Sequence, residues 1–339
     1  MRTLKKIIPC FAIVFIAQLG SAQDPSFSQF FASPLNVNPA LTAHINADWR
    51  AISNFRDQWL GPASPYATGT ASYDAKLFNK KMPGVEEGNI AGAGVMLMYD
   101  RAMGGVVKST YASANISYRV KLSEGDVKHQ IGAGFGAIYG NRRIDFTGID
   151  FEEQFTGYGF NTNLPTGETS LSAMKPYLSV STGLLYSISS ATSSLDIGVA
   201  AFHVNRPKQT FLKDERQFLP IRKVAHANFD TYVSESIVLN INTIYQEQLT
   251  ASYYSFGAAL GYILPNDPDL MLSGGLWYWS KNAVIPYIGF AYKDFQVGLS
   301  YDATTSKLNA ATNKPKTYEL SLIIRGRNKP SFVIPCPWK

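Results

Sequence analysis

The stretch YSFGAALGYIL, residues 254–264, decides how this chain must be read. Its even positions are Tyr254, Phe256, Ala258, Leu260, Tyr262 and Leu264, and its odd positions Ser255, Gly257, Ala259 and Gly261. One face is apolar and the other small or polar, and a period of two is the signature of a β-strand, whose successive side chains leave opposite faces. Phe295, Val297, Leu299 and Tyr301 alternate in the same way with Gln296, Gly298, Ser300 and Asp302. Tyr318, Leu320, Leu322 and Ile324 alternate with Thr317, Glu319 and Ser321.

Working outward, strand-like runs occur near 45–57, 66–78, 89–101, 105–122, 127–142, 175–189, 193–205, 221–234, 236–249, 252–265, 268–282, 283–293, 294–306 and 314–325. That is fourteen, an even number, and many reach the roughly 9–11 residues a strand needs to cross a bilayer at a tilt. A secreted sandwich has the same period, so the connections decide. Most even-numbered ones are short, such as 123–126, 190–192 and 266–267, with 79–88 the exception; the long ones, 141–174, 205–220 and 306–313, are all odd. Short turns at one end and long loops at the other predict an all-β outer-membrane barrel, closed because lipid offers no hydrogen bonds to an open edge. Trp59, Trp277 and Trp279 near strand ends are expected in its interfacial aromatic belts.

Composition agrees. Charged residues are only 17% and aromatic residues 13%, with 19 Tyr, 20 Phe and 27 Gly. Arg2, Lys5 and Lys6 precede an apolar run over 7–19 and the small residues Gly20, Ser21 and Ala22, which predicts a cleaved secretory signal peptide over 1–22. Its removal takes the formal charge from +6 to +3, which supplies no case for a nucleic-acid partner. It also leaves Cys336 as the lone thiol, so no intramolecular disulfide is expected.

Residues 23–44 fit neither strand nor helix. Pro34 and Pro39 each fix a φ angle and remove a donor, so this arm is expected to be rigid without being regular. The barrel is expected over 45–325 and a periplasmic tail over 326–339.

The arm DPSFSQFFASPLNVNPALTA, 24–43, resembles the N-terminal signature of the PorP/SprF family of the Bacteroidetes type IX secretion and gliding machinery. Further likeness lies in FRDQW (55–59), GVAAFHVNRPKQTF (198–211), GLWYWSKNAVIPYIGFAYKDFQVGLSYDATTSKL (275–308) and the tail pair Cys336 and Pro337; the ending Trp338-Lys339 departs from the pattern. The resemblance implies an outer-membrane barrel that helps export, or holds at the cell surface, a secreted adhesin bearing the family's C-terminal sorting domain. Membrane lipid surrounds such a barrel, and further secretion or gliding components are implied partners.

Asn38-Pro39-Ala40 also resembles the hatch motif of fatty-acid-transporter-like barrels, which makes a channel for hydrophobic or small solutes the alternative function. It suggests that Phe27, Ser28, Gln29, Phe30, Pro34, Leu35, Asn38, Pro39 and Ala40 belong to a plug or cap, with Phe27, Phe30, Phe31 and Leu35 on the inner wall; the competing reading is a loose leader.

Chemistry is sparse. His44, His129, His203 and His226 are far apart in sequence and show no zinc spacing. GAGFGAIYG from Gly132 sits in strand alternation, so its glycines read as small lumen-facing positions, and 265–269 reads as a tight turn. No catalytic residue, metal or cofactor is expected. Two outer loops remain as partner-binding candidates. The first carries Arg142, Arg143, Phe151, Phe155 and Tyr158, and the second Arg206, Pro207 and Phe211; aromatic residues with arginine anchor protein interfaces.

Overall fold

The computed structural model describes residues 24–61, 65–77, 88–123, 125–146, 149–167, 174–210, 217–306 and 315–326. The strands are β1 (Trp49–Leu60), β2 (Tyr66–Leu77), β3 (Ile90–Ala102), β4 (Val107–Lys121), β5 (Lys128–Ile144), β6 (Tyr177–Ser189), β7 (Ser193–Phe202), β8 (Arg222–Ser234), β9 (Ile237–Gln248), β10 (Ala251–Leu264), β11 (Asp267–Trp279), β12 (Ala283–Tyr292), β13 (Phe295–Tyr301), β14 (Ala303–Thr304) and β15 (Lys316–Gly326). Asp302 interrupts β13 and β14, which both pair with β12 and form one stave of a fourteen-stave barrel. Consecutive staves pair antiparallel, with β13 pairing to both β12 and β15, and β15 pairs with β1 from Trp49↔Gly326 to Leu60↔Lys316, which closes the sheet.

Alternation works as the sequence predicts. On β10, Tyr254, Phe256, Leu260 and Tyr262 are about half exposed, toward the lipid, while Ser255 and Ala259 are buried inside. Buried Gln296, Ser300, Glu319 and Ser321 take the inner phase of β13 and β15. The outward face carries tyrosines near both ends of the staves: Tyr118, Tyr186, Tyr262 and Tyr292 toward the short turns, Tyr99, Tyr139, Tyr245, Tyr254 and Tyr318 toward the long loops. These form the interfacial belts. Trp277 and Trp279 do not. They lie on the inner phase of β11, only 1% and 8% exposed, because the lumen there is filled and offers an apolar surface to pack on. Trp59 sits at the long-loop end of β1 with its ring against Tyr66, 5.1 Å between centroids.

What fills the lumen is the arm. It enters as three short turns, a 3-10 turn Phe30–Ala32, a single α turn α1 (Pro34–Val37) and a second 3-10 turn Pro39–Leu41, so it is more ordered locally than two prolines and scattered asparagines suggested. Pro34 and Pro39 stand at helix starts, where a missing N–H costs nothing and φ is already right. From Phe27 to Ala43 every residue but Phe31 is buried. The segment expected as signal peptide lies outside the described residues, as do 327–339 of the expected tail, whose first residue, Gly326, instead ends β15 opposite Trp49, and most of the long even connection, 78–87.

Candidate functional site

A backbone running through a barrel interior must have its polar groups satisfied by the wall. The wall does this with side chains on the inner phase of its strands. The Ser28 and Gln29 amides donate to the Glu319 carboxylate at 2.7 and 2.9 Å, and the Ser28 hydroxyl to Asp302 at 2.8 Å. The Gln29 side chain donates to Ser300 Oγ (3.1 Å) and accepts from Ser321 Oγ (2.7 Å). Carbonyls are met by cations and amides: Ser26 by Arg56 at 2.9 Å, Ala32 by Asn54 at 2.9 Å, Asn36 by Arg222 at 3.1 Å, and Ala43 by Arg119 at 2.6 Å.

The charges that grip the arm are paired with one another. Arg56 bridges Asp302 (2.8 Å) and Glu319 (3.6 Å), and Arg50 forms a fork on Asp74 (3.1 and 2.8 Å) whose second oxygen also accepts the Ala43 amide at 2.7 Å. His44 is bonded to Asp196 at 2.9 Å and contacts Arg119. Such pairs stabilise little over an apolar packing but are costly to break singly, because one buried charge is then left alone. At the long-loop end, Asp24 meets His203 at 2.7 Å and Arg222 at 3.2 Å, and its amide donates to Gln248 at 3.0 Å. Burial pushes the Asp24 carboxyl up, but Arg222, His203 and Gln248 together outweigh it and hold it well below the usual carboxylate range.

Asn38 is the pivot. Its side-chain oxygen caps the second 3-10 turn by accepting from Ala40 N at 2.8 Å. Its amide donates to the strand carbonyls of Leu184 (3.0 Å) and Val199 (3.3 Å) and lies 3.1 Å from His226 Nε2. This closeness requires glycine: a Cβ on Gly134 would fall on the backbone of Pro39 and Ala40, and one on Gly183 on the Asn38 side chain. Gly134 and Gly183 are cross-strand partners on β5 and β6, so they make one bare patch under the Asn-Pro-Ala turn. The apolar side of the arm packs too. Phe31 lies 4.9 Å from the Trp277 ring and 5.7 Å from that of Tyr287, Phe30 joins the cluster around Trp277 and Trp279, and Leu35 sits on Met96 and Met98.

Two cavities beside the arm hold about 30 Å³ each, one of mixed lining with Phe30, Leu41, His44, Asp196 and His226, the other largely apolar and lined by Leu35, Met96, Met98 and Phe202. A larger one of about 520 Å³ opens at the short-turn end, among Lys76, Arg119, Lys128 and the serines around 187–194. Among the described residues, no group of three or more His, Cys, Asp or Glu side chains is arranged to hold a metal.

The partner candidates sit at the opposite end. Arg142 and Arg143 are not loop residues, because the β4–β5 ladder runs on to Val107↔Ile144. The Arg142 side chain is held by Ser109 Oγ (3.0 Å) and Tyr111 OH (3.2 Å), and Arg143 is exposed. Beyond them Phe151 packs edge-on to Phe146, while Phe155 and Phe160, each more than half exposed, flank a tip where Tyr158 is fully exposed. In the second loop, Arg206 is exposed with its guanidinium 5.7 Å from the Phe218 ring, and the Pro207 carbonyl accepts from Leu219 N at 2.9 Å. Met174, Tyr177 and Leu219 join the bases of the two loops in one apolar cluster. Phe211, Cys336 and Pro337 lie outside the described residues. Sequence reading missed the gripping charges, Arg50, Arg56, Asp74, Arg119 and Arg222, whose available signal was their place on the inner phase of strands.

Fold and lumen together define an outer-membrane β-barrel whose interior is occupied by its own N-terminal arm. The chain belongs to the family of type IX secretion system membrane proteins PorP/SprF, whose model matches residues 19–324. Among solved structures, it is similar to the ΔS2 mutant of the TodX monoaromatic hydrocarbon channel. That match has 9% identity and a TM-score of 0.50, over 86% of this chain and 93% of that one. The Pseudomonas putida toluene transporter TodX matches with 10% identity and a TM-score of 0.48 over 86% and 93%. A Pseudomonas aeruginosa FadL homologue matches with 10% and 0.46 over 85% and 92%. At such identities the likeness is one of fold. No curated protein sequence matches the chain.

Proposed function

We propose that this barrel is a non-enzymatic partner of a type IX secreted surface protein, an adhesin bearing the family-type C-terminal domain, which it helps export or anchors at the cell surface in support of gliding. The observation that carries this reading is the filled lumen: among the described residues, an arm braced by buried ion pairs occupies the interior and the cavities beside it hold about 30 Å³ each, so the work falls to the surfaces at the ends. The solute-channel alternative needs an apolar path, and the apolar cavity beside the arm, about 30 Å³, has room for little more than a water or two.

At the long-loop end, Phe155, Tyr158 and Phe160 present aromatic area, and Arg143 and Arg206 are exposed at the same end of the barrel; these are the residue types that concentrate binding energy in protein interfaces. A mild-detergent pull-down of the tagged barrel from its native membrane, read by mass spectrometry, tests the reading. The expected result is co-purification of a large surface protein through its C-terminal domain, weakened by Phe155→Ala with Tyr158→Ala while the barrel stays folded. Repeated recovery of the intact barrel alone would reject it and make solute uptake the next assay.

A further inference from the structure

The arm has a direction. Asp24 is tied to His203, Arg222 and Gln248, which stand at the end of β7, the start of β8 and the end of β9, all at the long-loop end of the barrel. Ser26 is held by Arg56 and Gln246 just below them. Twenty residues later the arm is at the other end. The Ala43 carbonyl meets Arg119, two residues from the end of β4, the Ala43 amide meets Asp74 near the end of β2, and His44 meets Asp196 near the start of β7, all beside the short turns. Asp48 then donates to the Gly326 carbonyl and β1 climbs back.

We infer that the chain is threaded through its own barrel from the outer mouth downward, so that its processed N-terminal end is presented on the extracellular side and the arm can seat only after the leader has been removed. The second half follows from the first. A leader still attached ahead of Asp24 would have to lie beyond the outer mouth of a seated arm, whereas a secretory leader acts at the inner membrane before cleavage. Seating at Asp24 is therefore a late step that reports completed processing, and the outer mouth displays a free chain end between the two long loops.

The test uses the full chain in intact cells, with Cys336→Ser removing the native mature thiol. Pro25→Cys, partly exposed beside Asp24, is compared with Tyr158→Cys on the first long loop and Ala191→Cys on a short turn, using a membrane-impermeant maleimide, with folding of each variant checked by heat-dependent gel mobility. The expected result is that Pro25→Cys, like Tyr158→Cys, labels in intact cells, while Ala191→Cys labels only once the outer membrane is opened. Labelling of Pro25→Cys only after opening, or in neither preparation, overturns the threading. For the processing step, pulse-labelled wild-type chains should acquire protease protection of the arm after leader removal; leader-bearing chains with a protected arm overturn that part.

Discussion

At the scale of single residues, the site is made as much by what is missing as by what is present. Gly134 and Gly183 leave the wall at backbone level where Pro39 and Asn38 press on it. Gly134→Ala should therefore push the arm off its seat at a cost of about 1–3 kcal/mol, typical of inserting a methyl group into a packed interior. The expected readout is faster proteolysis of residues 24–43 with the barrel's heat-dependent mobility retained; an arm as resistant as wild type would refute the close fit. Gly134 was legible in sequence as a small lumen-facing position, and Gly183 was not singled out; what they made room for was not legible, since alternation reports a face and not the object opposite it. Trp277 and Trp279 show the same limit: large rings near strand ends fit a belt or a filled interior, and only the position of Phe31 against Trp277 decides.

At the scale of elements, fourteen staves were readable because each must satisfy the same physical rule over ten or more residues, apolar to lipid and small or polar within. The arm satisfies no such rule. Its conformation is set by contacts with residues far along the chain, such as Ser28 and Gln29 with Glu319, and no local pattern encodes those. Arg56, Asp302 and Glu319 form one of these grips. Arg56→Met should cost about 3–5 kcal/mol, because two carboxylates lose their shared cation. Adding Glu319→Gln should recover part of that loss, since it removes one of the stranded charges. Thermal unfolding in detergent of the two singles and the double checks this; a double mutant whose loss equals or exceeds the sum of the singles would mean that the three side chains are not one unit.

At the scale of the whole molecule, the barrel is a closed wall around an occupied interior. The intact protein is expected to pass little ionic current in a planar bilayer, and deletion of residues 24–43 to open a conducting pore lined by the charges the arm now covers. Equal current from both would show that ions move past the seated arm. The location of the seam adds a further consequence. The first and last staves, β1 and β15, meet there, and Arg56 of the one and Glu319 of the other hold the same stretch of arm, Ser26 to Gln29. The two strands that close the barrel thus supply part of the arm's seat, and Ser28 and Gln29 are held only once β15 is in place beside β1. Closure of the wall and capture of this stretch of the arm are thereby coupled in assembly, and a barrel that tried to unzip at its seam would have to let go of Ser26 to Gln29 in the same motion.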